Sequence, residues 1–236
     1  MELSSEDRIR YSRQIAIDEI GKEGQLKLLA SAVLVVGCGA LGSMVAMQLA
    51  GAGIGKIGIV DYDTVDVSNL QRQFFYKSTE AGLAKVGLLQ RNIQDLNPGC
   101  EVKKYDALLS SKNAAELFCG YDFIVDATDN PASKHLIEDM SVSLDKPCCI
   151  AGVTGFRGQV MTIVGKSSRF SDIFPDSEDG DFMPCSIGGV AGPVAALCAS
   201  LQAAEVIKYL TGAGENLVSK VLVFDILENR FSLFNL

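Results

Sequence analysis

Gly37-Cys38-Gly39-Ala40-Leu41-Gly42 is a GxGxxG turn. It follows an apolar run of strand length, residues 31–37 (SAVLVVG), and opens a helical pattern that continues to about residue 52. Glycines at such a turn let backbone N–H groups approach a phosphate with no Cβ in the way, and the helix N-terminus adds partial positive charge. Asp61 ends the next apolar run, residues 56–61 (KIGIVD), 19 residues after Gly42. A carboxylate at that place accepts hydrogen bonds from a ribose. The bland reading is a tight turn with close helix–sheet packing, and it leaves Asp61 unexplained. The order strand, turn, helix, strand, Asp therefore points to a nucleotide.

A second set of residues narrows the chemistry. Asp63, Asn69, Arg72 and Gln73 crowd one loop after the second strand, and Lys85 follows Arg72 by 13 residues at a helix start. Asp126, Asp129 and Asn130 lie at and just past another strand end, in Asp126-Ala127-Thr128-Asp129-Asn130. In a parallel doubly wound sheet these strand ends open on one edge. Cations there neutralise phosphate charge, and an Asp can hold a magnesium ion that bridges phosphates. Hydride transfer needs no such set; cleavage of a triphosphate does. The competing reading is a solvated cluster of surface ion pairs.

These residues need a scaffold that brings distant strand ends together. Residues 82–96 and about 131–144 have helical patterns, and 101–105 and 122–127 read as strands, with turns at Asn97-Pro98-Gly99 and Pro147. Alternating apolar strands and helices, without a hairpin signal in the first 150 residues, predict an α/β fold. The expected core is a Rossmann-like, doubly wound, mostly parallel sheet covered on both faces. Residues 5–29 read as one or two short helices before it. Beyond it, residues 148–164 read as two strands, 188–211 as a buried helix, and about 220–225 and 229–234 as antiparallel strands that extend the sheet. Residues 167–184, acidic and carrying two prolines, read as a long mobile loop.

Composition excludes several classes. The 236 residues are 48% hydrophobic and 21% charged, with net charge -8 and no Trp, so neither a basic nucleic-acid footprint nor a base-stacking platform is expected. Seven cysteines include no CxxC pair, which argues against a tetrahedral zinc site. The opening MELSSEDRIRYSRQ lacks the apolar segment of a secretory leader, and the apolar runs are short or broken, so no membrane span is expected. A reduced, cytoplasmic setting fits this cysteine usage, with most thiols, including Cys148-Cys149, as plain core residues. His135, the single histidine, reads as a helix-face residue and not a catalyst.

With these motifs in place, the chain resembles the ThiF/MoeB/HesA family, bacterial relatives of the ubiquitin-activating enzymes. The resemblance runs from Arg10-Tyr11-Ser12-Arg13-Gln14 through the glycine turn, Asp61-Tyr62-Asp63-Thr64-Val65, Ser68-Asn69-Leu70-Gln71-Arg72-Gln73 and Lys85. It continues through Asp126-Ala127-Thr128-Asp129-Asn130, Gly158-Gln159, Gly189-Val190, Gly192-Pro193 and Ser200-Leu201-Gln202-Ala203 to Glu205 and Lys208. It implies one adenylation domain over residues 1–236: N-terminal helices 1–30, a nucleotide-binding half 31–147 and a carrier-docking half 148–236. Such enzymes use ATP and magnesium to adenylate the C-terminal Gly-Gly carboxylate of a small β-grasp sulfur-carrier protein of thiamine or molybdopterin type. The resemblance also implies residue roles. Gly37, Gly39, Ala40 and Gly42 pass under the nucleotide, and Asp61 binds the ribose. Asp63 and Asn130 belong to the same nucleotide site. Asn69, Arg72, Gln73 and Lys85 surround the phosphates, and Asp129 holds magnesium. Arg13 reaches the partner subunit's site in a homodimer. The C-terminal strands dock the carrier body, and the loop 167–184 lies over its tail.

Departures from the family pattern matter as well. Arg169-Phe170-Ser171-Asp172 stands where relatives often carry a zinc CxxC, so the zinc-free branch is implied. Lys134 replaces the Arg of TDNxxxR, keeping the charge and losing the bidentate fork, and Ala40 replaces a third glycine. Cys185 aligns with the thiol that forms a thioester or acyl disulfide with the carrier in relatives; the other reading is a cysteine without catalytic duty. The carrier and the sulfur donor, a separate sulfurtransferase among the candidates, are not encoded in these motifs. Two other readings are a catalytically silent partner subunit, which predicts loss of the ATP residues, and an NAD(P)-dependent oxidoreductase, which leaves Arg13, Arg72, Lys85 and Asp129 without work.

Overall fold

Residues 2–175 and 189–236 are described in the computed structural model. Five strands run parallel: β1 (Ala32–Val36), β2 (Lys56–Asp61), β3 (Glu101–Asp106), β4 (Phe123–Asp126) and β5 (Cys148–Thr154). Three more, β6 (Arg157–Ile163), β7 (Lys220–Asp225) and β8 (Arg230–Asn235), add antiparallel beyond β5. The order is β3-β2-β1-β4-β5-β6-β7-β8. Sequence order reverses between β1 and β4, and at that switch point the strand ends leave a crevice.

Side chains alternate across each strand, so β1 feeds two cores. Val33 and Val35 pack with α3 (Gly21–Ala30), α4 (Ala40–Ala52), α5 (Lys85–Leu96) and α9 (Gly192–Thr211). Leu34 and Val36 pack with α6 (Ala114–Cys119), α7 (Pro131–Ser143) and Phe170 of α8 (Phe170–Ile173). Burial on both faces explains why β1 and β4 read as continuous apolar runs. Cys148 and Cys149 fall one in each core, as expected of structural thiols.

Several boundaries differ from expectation. The N-terminal segment forms three helices, α1 (Ser5–Arg10), α2 (Ser12–Ile15) and α3, because Ser4 and Asp7 form a capping box that starts the first and Tyr11 ends it. The helix expected from residue 82 begins at Lys85, since Gly82 sits at φ +85° in a turn. The expected mobile loop is anchored at its start: α8 buries Phe170, and Glu138 of α7, itself fully buried, accepts the N–H groups of Phe170 and Ser171. The rest of that loop, from 176, lies outside the described residues. Contrary to the expectation of no membrane-length apolar element, α9 has the length and apolarity to cross a membrane. Here it packs against α3, α4, β5 and β6 and carries Gln202 and Glu205 into the interior.

Candidate active site

The glycine turn joins β1 to α4. A Cβ on Gly42 would sit 1.8 Å from the Gly37 carbonyl oxygen, and one on Gly37, which has φ +95°, would sit 2.6 Å from the Ala127 carbonyl oxygen. Those two glycines serve the fold. Gly39 is different: the nearest atom to its Cβ position is Gln73 Nε2 at 3.7 Å, and its φ is -77°. Its missing side chain leaves room in a cavity lined by Gly39, Ala40 and Leu41 at the start of α4. No side chain caps this helix, so its first-turn N–H groups are available to an anion.

Asp61 fixes the turn from the adjacent strand. Its Oδ2 accepts the Cys38 N–H at 2.6 Å and its Oδ1 accepts the Asp63 N–H at 2.9 Å. The buried Tyr76 hydroxyl donates to the Cys38 carbonyl at 2.7 Å. Burial pushes both the Tyr76 hydroxyl and the Cys38 thiol above their ordinary pKa values, so each stays protonated.

The cavity has a volume of about 630 Å³. Among the expected site residues, Gly37, Gly39, Ala40, Asp61, Asp63, Arg72, Gln73, Lys85, Asp129 and Asn130 line it. Lys85 is 4% exposed, and its ammonium donates to Asp63 Oδ2 at 3.0 Å. It stands in the first turn of α5, where the helix dipole disfavours a cation. Arg72 is half-buried and donates to the Ser68 carbonyl at 3.2 Å. Gln73 is buried, and its Oε1 has no hydrogen-bond partner. A buried orphan carbonyl oxygen beside a cleft is costly unless a donor group on a ligand completes it. Two cations and a free helix N-terminus are a donor set that fits a polyphosphate, whereas the Gln73 Oε1 is an acceptor and suits a ligand hydroxyl or amino group.

Three expected residues are placed otherwise, and a fourth is not described. Gly42 packs behind the turn, out of the lining. Asn69 is also absent from the lining; its carbonyl accepts the Arg72 and Gln73 N–H groups at 3.0 Å each, shaping the loop that carries them. Arg13 is exposed on α2 and does not reach the cavity of its own chain. Cys185 lies outside the described residues.

Other lining residues escaped the sequence reading. Leu108 and Leu109, after β3, form an apolar wall near Asp61 in the chain's path along the strand ends. Gly152, Thr154, Arg157, Gln159 and Val223 carry the lining onto β5, β6 and β7, across the antiparallel extension. Only their side-chain alternation signals which face they share. His135 is buried, edge-on to the Phe170 ring at 5.3 Å between centroids, consistent with a helix-face packing residue. Among the described residues no three His, Cys, Asp or Glu side chains converge as a metal cage. Magnesium does not require one; it commonly binds one or two carboxylates together with substrate phosphates.

The profile of the ThiF family matches residues 11–236. The chain is 39% identical over 97% of its length to the probable adenylyltransferase/sulfurtransferase MoeZ of Mycobacterium tuberculosis, of which it spans 60%. It is 38% identical over 98% of its length to the sulfur carrier protein adenylyltransferase of Thermus thermophilus, spanning 88% of that protein. Against the adenylyltransferase and sulfurtransferase MOCS3 of Anopheles gambiae, at 39% identity, it spans 52% of the relative. The crystal structure of PaaA superposes at TM-score 0.83 with 26% identity, covering 99% of this chain and 74% of PaaA. E. coli MccB, crystallised with MccA-N7isoASN, superposes at 0.85 over 99% of this chain and 72% of MccB; at 23% identity that likeness is one of fold. With the glycine turn, Asp61 and the cationic loop all on one crevice, the chain belongs to the ThiF family.

Proposed function

We propose that the protein is an ATP-dependent adenylyltransferase that activates the C-terminal carboxylate of a small sulfur-carrier protein ending in Gly-Gly. The observation that carries this reading is the convergence of Arg72, Lys85, Gln73 and the uncapped α4 N-terminus on the cavity that Asp61 borders. One relative is named a sulfur carrier protein adenylyltransferase and another a probable adenylyltransferase/sulfurtransferase, which supports it.

In this reading ATP enters with its ribose at Asp61 and its phosphates between Arg72 and Lys85. A carrier carboxylate oxygen attacks the α-phosphorus, the bond from that phosphorus to the bridging oxygen breaks, and pyrophosphate leaves. No proton moves in this step, so the chain's work is alignment and charge neutralisation. Magnesium, held through Asp129, would shield charge on the phosphates. The carrier tail would run along Gly152, Gln159 and Val223. Its body would dock on β8, whose Phe231, Leu233 and Phe234 are exposed. The opposite edge strand, β3, carries Lys103 and Lys104, a pattern that discourages strand pairing, whereas β8 does not.

The rest of the reading extends beyond one chain. Arg13 would complete the site of the other subunit of a homodimer. Cys185 would be the thiol for any covalent carrier intermediate, with sulfur delivered by a sulfurtransferase. The nucleotide-binding half 31–147 and the carrier-docking half 148–236 would act as one adenylation domain. A reducing cytoplasm suits the six free cysteines among the described residues. Incubation with ATP, magnesium and a Gly-Gly carrier should add the mass of AMP to the carrier, read by intact-mass spectrometry. Absence of that adduct across thiamine-type and molybdopterin-type carriers would refute the reading.

A further inference from the structure

Lys134 lines the cavity, yet its ammonium is already fully engaged. It donates to Asp126 Oδ2 at 2.7 Å, to the Ala151 carbonyl at 2.6 Å and to the Thr128 carbonyl at 2.8 Å. An ammonium has three protons, so none remains for a ligand. Asp126 is fully buried, and its Oδ1 accepts the Thr128 N–H at 3.0 Å and hydroxyl at 2.6 Å. The ion pair thus ties the end of β4, the following turn and β5 together across the sheet. The far end of the turn is pinned as well: Asn130 Oδ1 caps α7 by accepting the Ser133 N–H at 2.8 Å. Between these two clamps stands Asp129, exposed and lining the cavity, with no hydrogen bond or ion pair among the described residues.

We propose that Lys134 is a positioning residue that holds the 127–130 turn so that the Asp129 carboxylate faces the cavity, and that it contacts neither nucleotide nor carrier. The inference rests on the proposed reading of the cavity as a magnesium-ATP site. It also gives a reason for Lys in place of Arg: the three oxygens converge on one ammonium nitrogen, whereas the five N–H groups of a guanidinium need acceptors spread in a plane around the fork.

The test is ATP affinity by titration calorimetry, with magnesium and with EDTA, for wild type, Lys134→Met, Lys134→Arg, Thr128→Val and Asp129→Asn. Wild type should bind ATP more tightly with magnesium. Lys134→Met and Thr128→Val should match wild type in EDTA and lose about tenfold of the magnesium-dependent gain. Lys134→Met should add nothing in the Asp129→Asn background, and Lys134→Arg should not restore the gain. A role as substrate contact predicts the reverse: Lys134→Arg behaves as wild type and Lys134→Met weakens ATP in EDTA. Either of those results overturns the proposal, as does a full magnesium gain in Lys134→Met. Should Lys134→Met fail to fold, Thr128→Val, which leaves the ion pair in place, decides: an unchanged magnesium gain overturns the proposal. Wild type that binds no nucleotide at all would refute the site reading itself, a separate outcome.

Discussion

Gly39 and Gly42 occupy one motif for different physical reasons, and substitution should separate them. Gly42→Ala forces a methyl into the Gly37 carbonyl, 1.8 Å from its oxygen, and should lower stability by about 3 kcal/mol in urea denaturation. Gly39→Ala meets nothing closer than 3.7 Å and should stay within about 1 kcal/mol of wild type while losing ATP affinity. Equal stability losses would contradict the division of labour. The thiols offer a second check. Burial pushes Cys100 up to about 11 and Cys148 and Cys198 up to about 12, and raises Cys38 and Cys149 as well. Cys119 alone among the six described cysteines is exposed. Alkylation of native protein near neutral pH should therefore label Cys119 rapidly and the other five only after unfolding, as read by peptide mass spectrometry. At this scale the placement of Asp61, Arg72, Gln73 and Lys85 along one crevice was legible in the sequence, because each sits beside a strand end or turn that its own neighbours announce. Lys134 was legible only as a charge. Its partners Asp126 and Ala151 are 8 and 17 residues away, and no local pattern records that they converge.

Among elements, α9 shows what composition conceals. Its apolar length suits a membrane span, but the buried Glu205 is an anchor: Oε2 accepts the Thr162 hydroxyl at 2.6 Å, the Leu217 N–H at 2.7 Å and the Asn216 amide at 2.9 Å. Glu205→Ala strands those donors and should cost about 3 kcal/mol, measured by chemical denaturation. A change near zero would contradict the anchoring role. The β6–β7 pair carries a pH-dependent contact. A hydrogen bond from Arg157, at 2.8 Å, holds the Asp225 carboxyl below its ordinary range. Its folded value lies below the unfolded one, so this contribution is present above about pH 4 and lost as pH falls through the folded value. The stability difference between wild type and Asp225→Asn should therefore shrink on acidification, and a difference independent of pH would contradict it. Strand and helix identities were legible from apolar runs and turn residues. Boundaries were not where distant groups set them: α8 starts where Glu138, more than 30 residues earlier, offers its carboxylate to the Phe170 N–H.

For the molecule as a whole, the parallel half of the sheet was legible, since burial on both faces writes unbroken apolar strands. The wall that β5, β6 and β7 add to the cavity was not, because antiparallel register across distant segments leaves no local mark. Arg13, exposed and not among the residues that line its own cavity, sets a prediction at the scale of the assembly. If it acts in a partner's site, mixing and re-associating Arg13→Ala with Arg72→Ala subunits should recover activity that neither has alone; no recovery in proven heterodimers would place Arg13 outside the reaction. The central claim is that this crevice makes a carrier acyl-adenylate and releases pyrophosphate. Carrier-dependent ATP–pyrophosphate exchange tests it most directly. The account predicts exchange with magnesium and one Gly-Gly carrier, falling about 100-fold or more in Arg72→Ala. Exchange that is absent with every carrier, or unchanged in Arg72→Ala, would contradict it.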